Sequence, residues 1–317
     1  PTNIEIVAAG ADTAALTAVD EFGDPDLGAN NTTRIDVGAL NAALANVVLQ
    51  ATNDITFSTD VTTTTGVGLT AIANNNIFLN GNLTTNFGAI TLQADADNSG
   101  SGGVIAGGGT TLQTQGGPVT VMGAGLQLGA IDTSAVAPGA VSLISTDDIT
   151  FDAIAATTTS ADPGGDVSLV ADGTVQGLSA GITINAQGAT PGTVTIQHDG
   201  GPTNAALTIG DAALNGTAGA IAADVTATNQ AFPVLPNGGS ANPTGSGQIT
   251  ITSVNTPPTV ATAQALPTTT VNTPLTFTVA ALTPTVTDSN ADNTTLEIDS
   301  IQSGTLLRNG VPVQAGE

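Results

Sequence analysis

Cysteine is absent from the 317 residues, which excludes a disulfide framework, a thiolate zinc site and a thiol nucleophile. His198 is the one histidine, so a histidine metal cluster cannot be assembled from a single copy. Lysine and arginine together number 2 against 26 aspartates and glutamates, a formal net charge of −24. A chain so poor in cations has no means of neutralising phosphates, which argues against nucleic acid and anionic membranes as partners. Tryptophan and tyrosine are missing and phenylalanine occurs 7 times, leaving little aromatic surface to stack on bases or sugar rings. No apolar run approaches the roughly 20 residues of a membrane span, because Asn, Thr, Gly or Asp interrupts each one. The first residues carry no basic segment followed by an apolar one, so the sequence reads as a mature or partial chain whose export signal lies outside it. These absences favour a structural protein over an enzyme.

What the chain does have is a repeat and, at 40% hydrophobic residues, enough apolar material to bury a core. A short alternating strand recurs at Val47-Val48-Leu49, Val67-Gly68-Leu69, Ile90-Thr91-Leu92, Val119-Thr120-Val121, Val141-Ser142-Leu143, Val167-Ser168-Leu169 and Val194-Thr195-Ile196. Successive starts are 20, 23, 29, 22, 26 and 27 residues apart. A second strand follows in several units, as in Ile55-Thr56-Phe57, Ile77-Phe78-Leu79 and Ile149-Thr150-Phe151. Short strands at a period of about 20 to 30 residues, with Gly, Asn and Asp between them, describe coils of a parallel β-solenoid. Alternation then turns Val47, Leu49, Ile55, Phe57, Val67, Leu69, Ile77, Leu79, Ile90, Leu92, Val141, Leu143, Ile149, Phe151, Val167, Leu169, Val194 and Ile196 inward. Val47 and Leu49 are expected to stack under Val67 and Leu69, and those under Ile90 and Leu92, because one coil cannot bury its own apolar face. Runs such as Gly107-Gly108-Gly109, Pro163-Gly164-Gly165 and Pro191-Gly192 supply the bends.

The expected organisation has four parts. Residues 1–33 form an N-terminal strand and cap, with Asn3 to Val7 alternating like a strand and Asp12 to Phe22 carrying a helix-like spacing. Residues 34–231 form a right-handed parallel β-solenoid of about seven to eight coils. Residues 232–255, with Pro233, Pro236 and Pro243 among several glycines, read as a linker followed by a strand. Residues 256–317 open at Thr256-Pro257-Pro258 and carry longer strands, Leu275 to Val279 and Leu296 to Ile301, that suit a β-sandwich. The fold class is therefore all-β.

The segment Asn46-Val47-Val48-Leu49-Gln50-Ala51-Thr52-Asn53-Asp54-Ile55-Thr56-Phe57, echoed by Gly139 to Phe151, resembles filamentous-haemagglutinin-type repeats of large secreted bacterial adhesins. The resemblance extends over residues 34 to 215 and implies an exported protein, on the cell surface or in a secreted fibre or biofilm matrix. Residues 256–317 resemble a cadherin-like or tandem Ig-like repeat through Asn272 to Phe277, Asp288-Ser289-Asn290-Ala291-Asp292 and Ser303 to Val313. Such a domain needs about 100 residues, so this one is partial. Either the sandwich continues beyond Glu317, or another copy donates the missing strand, for which residues 2–8 with Ile4 and Ile6 are the candidate.

The chemistry is sparse. Asp95, Asp97 and Asn98 place oxygens at near-alternate positions ahead of Gly100, and Asp288, Asn290 and Asp292 repeat the pattern, so calcium is the one cofactor the sequence suggests; solvated acidic turns explain the first group as well. Asp147-Asp148 is the one adjacent aspartate pair and is expected at a corner rather than in a catalytic dyad. His198, ahead of Asp199-Gly200-Gly201, is expected at the surface edge of a turn. Phe78 is expected to point outward between Ile77 and Leu79. The leading expectation is a non-enzymatic subunit of an extracellular filament or adhesin fibre, joined head-to-tail to copies of itself through β-strand contacts. The alternative is a module of a larger exported protein that binds glycans or a cell surface.

Overall fold

The computed structural model describes residues 1–8, 13–158, 160–235 and 238–255, with the short stretches 259–260, 274–276, 286–287, 305–308 and 310–313 beyond them. Two units are present, Pro1–Asn255 and Thr256–Glu317. The first is built from three predominantly parallel sheets of nine, eleven and eight strands, here called sheets I, II and III. From Val47 the chain visits them in a fixed order: Val47–Ala51 in sheet I, Ile55–Phe57 in sheet II, Val61–Thr62 in sheet III, then Leu69–Ala73 back in sheet I. Later coils enter sheet I at Ile90, Val119, Val141, Val167 and Val194, which makes the unit a β-solenoid.

Alternation along each strand makes the core. In sheet I the pairing Val47↔Leu69↔Ile90↔Val119↔Val141↔Val167↔Val194↔Ile249 is unbroken, and a second column runs beside it from Leu49 through Ala71, Leu92, Val121, Leu143, Leu169 and Ile196 to Ile251. Sheet II adds Ile55, Ile77, Ile149 and Phe57, Leu79, Phe151. All of these residues are buried, as is Val67. Each large aliphatic side chain so enclosed stabilises the stack by about 1.5–3 kcal/mol before conformational entropy is set against it. The register differs from the expected one at the second coil. Val47 lies on Leu69 rather than Val67, and Leu49 on Ala71. A slip of two residues keeps the inward parity, which is why Val67 is buried while standing in the corner.

The first four passages from sheet III to sheet I are each closed by a buried hydroxyl. Thr63 Oγ1 donates to the Val67 carbonyl and Thr133 Oγ1 to that of Gly139, both at 2.7 Å, and Thr85 and Thr114 donate likewise to Gly88 and Gly117. Thr114→Val keeps the side-chain volume but takes this donor from the Gly117 carbonyl. A loss of about 2 kcal/mol is expected in urea unfolding.

Three expectations are corrected here. The stretch with helix-like spacing is not helical over its described part, residues 13–22: only Leu16–Ala18 makes a 3-10 turn. Its backbone serves the first coil instead, with Ala14 N donating to Arg34 O at 2.8 Å and Val19 O accepting from Gln50 N at 2.7 Å. The one short α-helix among the described residues is Val37–Asn41, capped by Asp36 accepting from Gly38 N. The candidate donor strand, Asn3–Val7, is an interior strand of sheet II, with Ile4 opposite Thr33 and Ile55, and Ile6 opposite Ile35 and Phe57. Both isoleucines are buried in their own chain, so this strand is not free to complete another copy. The strand expected after the linker is present as Ile249–Ser253 and extends sheet I, but the stretch expected as linker itself holds a strand, Gly239–Ala241, antiparallel to it.

Both ends of the solenoid are closed in cis. At the C-terminal end each sheet finishes on a short antiparallel strand: Gln230–Phe232 on Leu207–Ile209, Thr226–Ala227 on Ala220–Ala222, and Gly239–Ala241 on Ile249–Ser253. At the other end Thr62 N donates to Asn41 Oδ1 at 2.8 Å, and Asp26 accepts from Thr2 N and Oγ1, at 2.6 and 2.8 Å. These bonds from Thr2, the backbone one foremost, hold the Asp26 carboxyl below its usual range. Short, covered edges of this kind suppress further strand addition. In the second unit the described pairs are antiparallel, Thr259–Val260 with Val286–Thr287 and Leu307–Arg308 with Val311–Pro312. The strands expected at 275–279 and 296–301 lie mostly outside the described residues, and Asp288, Asn290 and Asp292 lie wholly outside them.

Candidate functional site

The side chains that alternate with the sheet I core face outward in two registered columns. One is Val48, Thr70, Thr91, Thr120, Ser142, Ser168, Thr195 and Thr250; the other is Gln50, Ile72, Gln93, Met122, Ile144, Val170, Gln197 and Thr252. No charged residue occurs in either column, in a chain with 26 acidic side chains. At about 4.8 Å per rung this wall extends over roughly 35 Å.

Many of the acidic residues stand at the corners, where they hold successive coils together. Asp54 Oδ1 accepts from Asn76 N at 3.0 Å, Asp60 Oδ1 from Asn82 N at 2.7 Å, and Asp166 Oδ1 from Thr193 N at 2.8 Å. Asparagines do the same: Asn46 accepts from Gly68 N, Asn76 from Gly103 N and Asn82 from Thr111 N. A carboxylate or amide oxygen meeting the first N–H of the next coil satisfies a donor that the bend would otherwise leave unpaired.

A depression of about 580 Å³ lies where sheet II passes Gly103 and Gly125, rimmed by Ser101, Ile105 and the Asp147–Asp148 corner. The two aspartates have different surroundings. Asp148 Oδ1 accepts from Thr174 N and Oγ1, at 2.6 and 2.7 Å. Partial burial, with the neighbouring Asp148 charge adding to it, raises the Asp147 carboxyl above its usual range. Phe78 points outward on the same sheet, opposite Ile105 in the next strand, and both are partly exposed.

The first suggested calcium group closes on itself. Asp95 accepts from Ser99 Oγ at 2.9 Å and Gly100 N at 3.2 Å, and Asp97 Oδ1 accepts from Ser99 N, while Asn98 takes a left-handed φ of 55°. Among the described residues no three His, Cys, Asp or Glu side chains gather as a metal site.

His198 is not at the surface. It ends the strand Val194–His198 fully buried, and its Nδ1 lies 3.1 Å from Asn215 Nδ2. Asn215 also accepts from Val175 N through Oδ1 at 2.9 Å and donates to Ala205 O at 2.8 Å. The signal was parity: Val194, Ile196 and His198 fall on one side of a strand. In the same column the earlier coils carry Ala51, Ala73, Gly123, Ser145 and Ala171, so His198 is the one large polar side chain there. The long excursion from Asp199 to Asn215, in place of the usual tight corner, covers it.

The chain matches no family model, no curated protein and no solved structure.

Proposed function

We propose that this chain is a non-enzymatic structural module of an extracellular adhesin or surface fibre, acting by holding a flat, uncharged wall toward its partner. The observation that carries this reading is the wall of sheet I, with two columns in register and no charge, between corners that hold Asp54 and Asp148 on one side and Asp166 on the other. The extracellular setting, the right-handed sense of the coil and a cadherin-like fold for residues 256–317 belong to the same reading and rest on the resemblance of the repeats. Growth head-to-tail through shared sheets has less support, since at the C-terminal end the last parallel strand of each sheet is already paired with a short antiparallel strand of the same chain. Two copies at −24 each also repel at low ionic strength, which favours a neutral glycan or cell surface as the partner over another copy.

The test places charge on the wall. Retention on immobilised neutral glycans and on cell-surface preparations is expected for the natural chain and for Thr150→Glu on sheet II, and is expected to be lost in Thr120→Glu/Ser168→Glu. Sedimentation at neutral pH is expected to show single copies. Retention that ignores the wall charges, no retention of the natural chain, or fibres growing from it at neutral pH would overturn the reading.

A further inference from the structure

The hydrogen bonds around His198 fix its proton. Asn215 Oδ1 accepts from Val175 N–H and its Nδ2 donates to Ala205 O, so the amide has one orientation and presents an N–H to the imidazole. His198 Nδ1 must therefore accept, and the ring proton sits on Nε2. That atom is buried and finds no hydrogen-bond partner among the described residues. A second proton on Nδ1 would face the Asn215 NH2, donor against donor. Turning the amide over to offer its oxygen would set N–H against Val175 N–H and oxygen against Ala205 O. Protonation thus cannot be absorbed locally: the three partners separate or the ring stays neutral.

Asn215 and Ala205 belong to the C-terminal closure, and Val175 to the coil beneath it. Ala205 lies in the excursion that begins at Gly200 and Gly201, with φ of 90° and 62°, and Asn215 leads into Gly216–Thr217 of sheet II. His198 pairs with Ser253 in the last parallel strand of sheet I, and its carbonyl accepts from Val254 N at 2.8 Å. The charged groups carried by the surrounding segments are carboxylates: Asp199, buried and accepting from Gly201 N at 2.7 Å, and the exposed Asp172 and Asp211. The strands Leu207–Ile209, Gly216–Thr217 and Ile249–Ser253 bring none.

We propose that His198 is a proton-sensitive pin, locking the C-terminal closure over the last coil while neutral and releasing residues 199–217 and 249–253 when protonated. Burial of the ring, which lowers its pKa from 6.5 to about 4, agrees with this geometry. The sign follows from linkage. The released form binds a proton near pH 6.5 and the locked form only near 4, so locking is complete above 6.5 and lost as the pH falls from 6.5 toward 4. Release exposes sheet edges at this end.

Hydrogen exchange of the full chain, followed by mass spectrometry and corrected for intrinsic rates, tests the pin. Between pH 7 and pH 5 the opening of peptides covering 199–217 and 249–253 is expected to rise about twentyfold, while the coils of residues 47–132 stay constant. His198→Gln, which can accept from Asn215 but does not titrate in this range, is expected to abolish the rise. Because His198 is the single histidine, its ring resonances also report directly in the natural chain, and an Nε2–H tautomer titrating far below 6.5 is expected. A closure whose exchange ignores pH, an equal rise throughout the coils, a pH dependence that survives in His198→Gln, or an Nδ1–H tautomer would overturn the proposal.

Discussion

Gly139→Ala is expected to lower the stability of the solenoid by about 3 kcal/mol, although it adds a single methyl group. The cause is a column of glycines at the passage from sheet III to sheet I. A β-carbon at Gly88 would lie 2.1 Å from the Val67 carbonyl oxygen, one at Gly117 2.0 Å from that of Gly88, and one at Gly139 2.1 Å from that of Gly117. Gly165 and Gly192 continue the series at 2.5 and 2.3 Å. The obstacle each time is backbone of the preceding coil, which cannot rotate away as a side chain does. The Gly117 oxygen is moreover held by Thr114 and the Gly139 oxygen by Thr133. Accommodation of the methyl group would have to pry two coils apart, at the cost of neighbouring core contacts. Gly247→Ala is the control. Gly247 also stands two residues before a sheet I strand, but its β-carbon would meet nothing nearer than Asp224 Oδ2 at 3.7 Å. Urea unfolding followed by far-ultraviolet circular dichroism should show a large drop for Gly139→Ala and a change within about 1 kcal/mol for Gly247→Ala. Equal losses would mean that the column is not a close coil-to-coil contact.

This column shows what could be read in the chain and what was not. Gly88, Gly117, Gly139, Gly165 and Gly192 each precede a strand of the form Val or Ile, Thr or Ser, then an aliphatic residue, always by two positions. The strands are legible because parity alone decides which side chains can be buried. The glycines look like ordinary bends because the need for them lies in the adjacent coil, about 25 residues away in sequence. The slip from Val67 to Leu69 has the same origin: both satisfy parity, and only stacking on Val47 distinguishes them. For Ile4 and Ile6, alternation establishes that they enter a sheet but says nothing about whose sheet, and the pairing with Ile55 and Phe57 of the same chain decides it. His198 fits the inward parity of its strand, yet its polarity and the glycines after it suggest a surface turn; the excursion that buries it could not be inferred from local pattern. The uncharged wall is visible in the outward Thr and Ser positions once charge is counted by face instead of over the whole chain.

Removal of the Phe151 ring is expected to cost about 4 kcal/mol, and the loss should depend on the residue one coil away. Phe151 is fully buried and pairs with Gly177 in the next strand of sheet II, where other coils set Leu79 over Phe57. A β-carbon at Gly177 would lie 2.9 Å from Phe151 Cζ and 2.4 Å from Thr183 Cγ2. The ring thus occupies space that a side chain at position 177 would otherwise take. Gly177→Ala alone is expected to destabilise by about 2 kcal/mol through overpacking. Combined with Phe151→Leu, which withdraws the ring atoms but leaves Thr183 in place, it should cost less than the two single changes added together, by about 1 kcal/mol. A double-mutant cycle on urea midpoints measures that difference. Strict additivity would show that the ring and the glycine do not share one space, and that the column is set by each strand separately. A positive coupling would establish that fit between successive coils, rather than burial within one, determines which sequences this solenoid accepts.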